Sequence, residues 1–315
     1  MNQNSQTHTN FRKDIQVTCS DGVRLHGLLH LPDGEAKALI LINPGTATRT
    51  SYYHSFAEFL RLHGMIVCTW NYRGVSESKY GSLKNCHFSM RDISQKDIPA
   101  MLNFLKNEFP DIPLFCIGHS AGAQQIGLVS NNNLIDGMIA VATSAGYPPD
   151  MPLHYRLKTH FFFKIFVPIS IRLTGYVAAA RFGLMEDIPR QFALDWKAWC
   201  YRKDYYFDPQ FYGKESHVSG VPIGNCHALP FPVSVFTASD DEISSPQNVQ
   251  RFWKHLSSQV SNIRFVWYHP EDLKVNHIQH FGYFRKQFQN SIWKDILMTL
   301  ENFLSCQLNQ TSKQA

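Results

Sequence analysis

One stretch of this chain constrains its fold more than any other: the apolar run Leu114-Phe115-Cys116-Ile117 leads directly into Gly118-His119-Ser120-Ala121-Gly122, followed by the small-residue start of a helix. A short apolar run bounded by glycine reads as a buried strand. Glycines on both sides of Ser120 let the backbone double back at once, where side chains would collide. A strand turning sharply into a helix lifts a serine hydroxyl off the end of a sheet, where a base can reach it. A serine in a glycine-rich turn can also simply cap the helix that follows. The strand before G-x-S-x-G and the helix after it make Ser120 the candidate nucleophile.

The surrounding pattern predicts an α/β architecture. Residues 14–18 and 23–31, separated by Ser20-Asp21-Gly22, read as a hairpin. Strands are predicted at Ala38–Ile42, Met65–Trp70, the run leading to Ser120, Gly137–Thr143, Val233–Ala238 and Ile263–Tyr268, with helices over 53–63, 92–108, 246–258 and 287–304. Strands alternating with helices at this spacing imply a mostly parallel sheet covered on both faces. The alternation stops over 147–228, where proline, aromatics and short helical segments dominate, including Phe161-Phe162-Phe163, Trp196 and Trp199. The chain therefore divides into a first core part (1–146), an inserted cap (147–228) and a second core part (229–315). The apolar cap segment 161–180 is broken by Lys164, Pro168 and Arg172, which argues for cap core or pocket wall rather than a membrane span.

Composition excludes several classes. Of 315 residues, 44% are hydrophobic and 17% charged, and the formal charge of +5 comes from scattered Lys and Arg without a run that would grip nucleic acid. Seven cysteines, an odd number without C-x-x-C spacing, read as reduced thiols, with Cys68 and Cys116 inside apolar strands. The polar N-terminus has no apolar stretch of the signal-peptide kind. These features predict a cytoplasmic protein, with no metal or cofactor expected, acting on a small molecule; membrane contact through the cap is possible but not expected, and the oligomeric state is left open.

A serine hydroxyl is too weak an acid to attack an ester unaided and needs an oriented histidine. In open α/β sheets such groups lie beyond the carboxyl ends of strands. After the strand ending at Ala238 comes Ser239-Asp240-Asp241-Glu242-Ile243, one of whose carboxylates is expected to orient the base. After the strand ending at Tyr268 come His269, His277 and His280, one of which is expected to be that base. Position alone does not choose among the three acids or the three histidines.

The chain resembles the α/β-hydrolase superfamily, in particular the serine-hydrolase group of monoacylglycerol-lipase-like esterases and S33 aminopeptidase-like proteins, and within it a bacterial branch of predicted α/β-hydrolases. The resemblance covers about 14–304 and rests on Pro44-Gly45, NYRGVSES (71–78), GHSAG (118–122), SDDEI (239–243), HFGYFR (280–285) and the cap segment IPRQFALDWKAWC (188–200). It implies Ser120 as nucleophile, Asp241 as acid and His280 as base. The backbone N–H of Ala121, next after the nucleophile, is one expected oxyanion donor. The other is that of Thr46, because Asn43-Pro44-Gly45-Thr46 resembles the His-Gly turn of esterases. Asn71 and Ser76 stand where the resembled D-x-R-G-x-G-x-S pattern has Asp and Gly, and Gln279 stands where a Gly is common. The expected chemistry is hydrolysis of an acyl ester through an acyl-enzyme. A peptidase, thioesterase or acyltransferase on the same triad, or a non-catalytic ligand-binding protein of this fold, is the alternative.

Overall fold

The computed structural model describes residues 11–211, 229–257 and 263–314. The elements follow in chain order. Strands β1 (Arg12–Thr18), β2 (Arg24–His30) and β3 (Ala38–Asn43) precede helix α1 (His54–Leu62) and strand β4 (Met65–Trp70). Helix α2 (Met90–Asp92) runs through a wide turn at Ile93–Asp97 into α3 (Ile98–Glu108), followed by β5 (Leu114–His119), α4 (Ala121–Gln124) and β6 (Gly137–Val141). The chain then leaves the sheet for α5 (Leu153–Phe161), α6 (Val167–Thr174), a two-stranded ribbon of β7 (Tyr176–Val177) and β8 (Ile188–Pro189), and α7 (Arg190–Cys200). It returns for β9 (Val233–Ala238), α8 (Pro246–Ser257), β10 (Ile263–Tyr268) and α9 (Ile292–Gln314).

Eight strands form one sheet in the order β1-β2-β4-β3-β5-β6-β9-β10. β2 runs antiparallel to β1 and β4, and every other pairing is parallel. All six residues of β3, β4, β5 and β9 are buried, as strands covered on both faces require. Alternation sorts their side chains. Leu39, Leu41, Cys116 and Val235 face Met101 and Leu105 of α3 and Phe252 of α8. Ile40, Ile42, Ile117 and Phe236 face Phe56 of α1 and Trp293 of α9. Arg73, just past β4, ties the hairpin turn to the helical layer: its guanidinium donates to Asp21 and Asp97, each at 2.7 Å.

The helix expected over 92–108 is split by the turn at Ile93–Asp97, which has the wide π geometry, and a second π turn at Phe162–Phe166 joins α5 to α6. Each ends just ahead of a proline in the first turn of the next helix, Pro99 and Pro168. A proline has no N–H to donate and its ring crowds the carbonyl a turn earlier, so the wider turn accommodates it without ending the helix. The terminal helix starts at Ile292 rather than 287 and extends through the polar end to Gln314.

The turn after β5 is the tightest point of the fold. Ser120 adopts φ 52° and ψ −117°, a conformation L residues rarely hold, and its N–H donates to the Val141 carbonyl at 2.8 Å. A Cβ at Gly118 would lie 2.5 Å from the Ala123 backbone, and one at Gly122 would lie 2.2 Å from the Asn43 carbonyl oxygen. The two glycines thus let α4 press directly against β3 and β5. Gly122→Ala is expected to destabilise the protein by about 1–3 kcal/mol, the usual range for overpacking, read as a lower urea midpoint.

Candidate active site

The Ser120 turn stands at the carboxyl end of β5, near the middle of the sheet. The loops after β9 and β10 reach it from one side and the turn after β3 from the other. His280 Nε2 lies 3.0 Å from Ser120 Oγ. On its other edge, His280 Nδ1 lies 2.9 and 3.1 Å from the two Asp241 carboxylate oxygens. Asp241 is buried, at 2% exposure, yet well solvated by the chain: Oδ1 accepts the N–H groups of Ile243 at 2.9 Å and Ser244 at 2.8 Å. A buried carboxylate is tolerable only with such partners.

Position along the chain left three acids and three histidines open, with Asp241 and His280 implied by the resemblance, and the structure separates them by geometry. Asp240 turns away from the imidazole and clamps the loop that carries it, accepting the N–H groups of Ile278 at 2.9 Å and Gln279 at 3.1 Å. Glu242 faces His154 of α5. His277 is exposed and His269 half-buried, near Asp240 and Glu271 respectively, and only His280 of the three reaches Ser120. Aromatic residues fix the loop after it. Phe284 packs on Tyr53 and Phe56, with ring centroids 4.9 and 5.3 Å apart, and Tyr283 is fully buried.

Thr46 lines the same cavity as Ser120 and His280, and its N–H donates to no group among the described residues. Ala121 is buried and opens α4, where the first N–H groups have no intrahelical acceptor. The turn carrying Thr46 is held by the N–H of Gly45 donating to the Tyr53 hydroxyl at 2.9 Å and by the Tyr72 hydroxyl donating to the Pro44 carbonyl at 2.9 Å.

His119 and Tyr53 had no assigned role in the sequence. His119 is completely buried beside the site, with Nδ1 2.8 Å from the Tyr53 hydroxyl and Nε2 3.0 Å from the His280 carbonyl oxygen. The His280 carbonyl oxygen can only accept, so the hydrogen of the neutral imidazole sits on Nε2. Nδ1 is then the acceptor of the Tyr53 hydroxyl hydrogen, while the Tyr53 oxygen accepts the N–H of Gly45. Burial, followed by the nearness of His280, pushes the His119 pKa down to about 3, so the ring stays neutral and keeps this tautomer. No spacing in the sequence could signal this chain, because it joins residues 161 positions apart.

Ser120 and His280 open into a cavity of about 1030 Å³, at the upper end of the range for small-molecule sites. Phe162, Phe163, Phe166, Met185 and Trp196 supply much of its wall, and Phe161, Leu157 and Leu184 stand toward its exposed rim. Trp199, paired with Trp196 in the sequence reading, is instead fully buried against Tyr205 and Tyr206 and does not line it. Among the described residues, no group of three or more His, Cys, Asp or Glu is arranged to hold a metal ion.

Comparison with known proteins agrees with this architecture. The family model described as serine aminopeptidase, S33, matches residues 34–186. The monoglyceride lipase of Rattus norvegicus is 28% identical over 103 residues, 33% of each chain. The human monoglyceride lipase is 26% identical over 131 residues, 41% of this chain and 37% of that protein. The monoacylglycerol lipase of Mycolicibacterium smegmatis is 27% identical over 103 residues, 32% of this chain and 35% of the relative. The chain thus spans about a third of the length of the curated relatives it matches. Among solved structures, a thermostable carboxyl esterase from Bacillus coagulans, in complex with glycerol, aligns with TM-score 0.62 at 12% identity over 94% of this chain and all of that one. The Pyrococcus furiosus esterase Pf2001 aligns with TM-score 0.55 at 16% identity over 93% and 92%. At such identity the structures share the fold.

The neutral His119 carries a stability signature. An unfolded histidine titrates near 6.5, whereas His119 is held down to about 3 and the fully buried His30, mainly by desolvation, to about 4. Their contribution is fully present above 6.5 and is lost as pH falls toward those lower values, because the unfolded chain binds protons the native one refuses. The slope is about 1.4 kcal/mol per pH unit for each group. Melting temperatures measured from pH 7.5 down to 4.5 should fall, and should fall less steeply for His119→Gln than for the native chain.

Proposed function

We propose that this chain, which belongs to the α/β-hydrolase superfamily, is a serine hydrolase that cleaves carboxylic esters through an acyl-enzyme. The observation that carries this reading is the continuous hydrogen-bonded line from Ser120 Oγ through His280 to Asp241 at the wall of a largely apolar cavity.

In the proposed reaction, Ser120 Oγ attacks the ester carbonyl carbon while its proton passes to His280 Nε2. Asp241 keeps the other imidazole proton on Nδ1 and stabilises the imidazolium. The N–H groups of Thr46 and Ala121 receive the developing oxyanion, a contribution of about 3–4 kcal/mol for a donor of this kind. Collapse of the tetrahedral species breaks the bond to the alcohol oxygen, which takes the proton from Nε2 as it leaves. Water then repeats the sequence on the acyl-serine and returns Ser120 to its starting state. Residues 147–228 act as a cap over this centre, with 212–228 of that span lying outside the described residues. Esters are favoured over amino-terminal peptides because the cavity wall is dominated by rings and aliphatic chains. Among the described residues the one carboxylate lining it, Glu186, is already engaged by Arg49 at 2.5 Å.

Four measurements test this reading. Ser120→Ala should abolish ester turnover and labelling by a fluorophosphonate while the protein stays folded; a folded variant with near-native activity would remove Ser120 from the reaction. Asp241→Asn should cost about four powers of ten in kcat, as loss of the orienting carboxylate does in other triads. Asp240→Asn, which leaves one loop acceptor in place, should cost at most about a hundredfold. Across acyl esters from acetyl to decanoyl, kcat/KM should climb about fourfold per methylene until the cavity is full, because each buried CH₂ contributes about 0.8 kcal/mol. A flat series would argue against an acyl pocket.

A further inference from the structure

Helix α5, the π turn at Phe162–Phe166 and α6 form one unbroken helical rod from Leu153 to Thr174. Its inner side is ordinary: Phe163 and Val167 are buried in the core. Its outer side is not. Leu153, Leu157, Phe161, Ile165, Ile169 and Leu173 recur at every fourth position, and each is 48–77% exposed. In a regular α-helix a four-residue repeat drifts about 40° per step. The wider π turn in the middle of the rod counters that drift, so the six residues stay on the solvent side throughout. Phe182 and Leu184, also more than half exposed, follow on the next turn. Singly exposed apolar residues are unremarkable, but a continuous row of this length marks a surface that something covers.

The charges around the row indicate what covers it. Between Met151 and Met185 stand Arg156, Lys158, Lys164, Arg172 and Arg181, and the segment contains no Asp or Glu. Lys158, Lys164, Arg172 and Arg181 are exposed. A symmetric contact with a second copy would set this cationic margin against itself, which is repulsive. An apolar helix face bordered by Lys and Arg is instead the pattern that lies in the interface of a bilayer carrying anionic headgroups.

We propose that the Leu153–Leu173 face docks on an anionic lipid surface, the apolar row entering the acyl boundary and the cations meeting the headgroups. Among the described residues no helix is long and apolar enough to cross a membrane, so the contact is peripheral. Leu157, Lys158, Phe161 and Leu184 belong both to this exposed face and to the lining of the Ser120 cavity. Docking therefore sets the cavity rim against the lipid, and an ester can pass from the bilayer to Ser120 with little exposure to water. That last clause rests on the hydrolase reading, whereas docking itself does not.

The test is flotation of the full chain with vesicles of phosphatidylcholine alone and with phosphatidylglycerol added. The native protein should float with the anionic vesicles, lose at least tenfold in affinity between 50 and 500 mM salt, and bind the neutral vesicles at least tenfold less tightly. The double variant Ile169→Glu/Leu173→Glu, at positions outside the cavity lining, should lose at least tenfold in binding. It should retain native circular dichroism and native hydrolysis of a water-soluble acetyl ester. Failure of the native protein to bind anionic vesicles, or unchanged binding by the double variant, would overturn the proposal. A concentration-dependent dimer in light scattering, abolished by the same substitutions, would overturn it in favour of a second copy. Because flotation needs no turnover, an inactive protein that binds vesicles would count against the hydrolase and not against the docking.

Discussion

A short chain of hydrogen bonds through one neutral imidazole joins three of the segments that build the site. The N–H of Gly45 donates to Tyr53, Tyr53 donates to His119, and His119 donates to the carbonyl of His280. The first link belongs to the turn after β3, the middle to the strand that delivers Ser120, and the last to the loop after β10. Three segments far apart in sequence are thereby set against each other by groups whose donor and acceptor roles admit one arrangement. Protonating His119 would put a second N–H toward the Tyr53 oxygen, and the Tyr53 hydrogen, its acceptor on Nδ1 gone, would have to turn away. Burial of the ring, which holds the neutral form, is thus a condition of the whole geometry. It also explains why a histidine precedes Ser120: a smaller residue would leave the Tyr53 hydroxyl and the His280 carbonyl with unmet bonds.

Much of the architecture was legible in the sequence because it is written in local periodicity. Met65–Trp70, Val233–Ala238 and Ile263–Tyr268 are strands with the expected bounds, since each is a short run of apolar or β-forming residues closed by turn residues. The meeting of Ser120, Asp241 and His280 followed from chain order on such a sheet together with resemblance. The parts that local pattern could not supply are those made by distant pairing. Asp240 and Asp241 are adjacent and chemically identical, so the choice of Asp241 came from the resemblance alone. One clamps a loop through two backbone N–H groups and the other faces an imidazole, because of the path of the chain after Ala238. The two π turns escaped for another reason: the helix over 92–108 is predicted straight through Pro99 and the segment 161–180 is read as broken at Pro168, and neither reading specifies the wider turn that carries each rod past its proline.

Positions where the chain departs from the resembled pattern show how the same backbone is kept with other residues. Ser76 and Gln279 stand where glycine is common, and both hold left-handed φ values, 46° and 55°. Such conformations cost non-glycine residues free energy unless neighbours over-determine them. Around Gln279 they do: Asp240 takes its N–H and that of Ile278, and Gly282 sits so close that a Cβ there would meet the Ile278 carbonyl at 1.9 Å. Asn71, in place of an aspartate, uses both faces of its amide, accepting from Thr50 N–H at 3.3 Å and donating to Glu77 at 2.7 Å. A carboxylate there could not make the second bond and would face Glu77 with like charge, so asparagine and Glu77 suit one another.

The cavity wall and the polar line behind it depend on each other through the local dielectric. Phe162, Phe163, Phe166 and Trp196 line the space before Ser120 with rings, and charge developing against such a wall in the proposed reaction would be less screened than in bulk water. The same wall would penalise an imidazolium unless a fixed anion lay against it. Asp241 meets that need only because it is itself stabilised by the Ile243 and Ser244 N–H groups, which do not have to reorganise as the charge appears. An apolar wall without the anchored carboxylate would disfavour proton transfer to His280. An anchored carboxylate in an open, watery site would be screened from it. In the proposed reaction the aromatic residues of 147–211 and the tight turn after Ala238 would therefore act on one proton transfer, although nothing in their local sequences connects them.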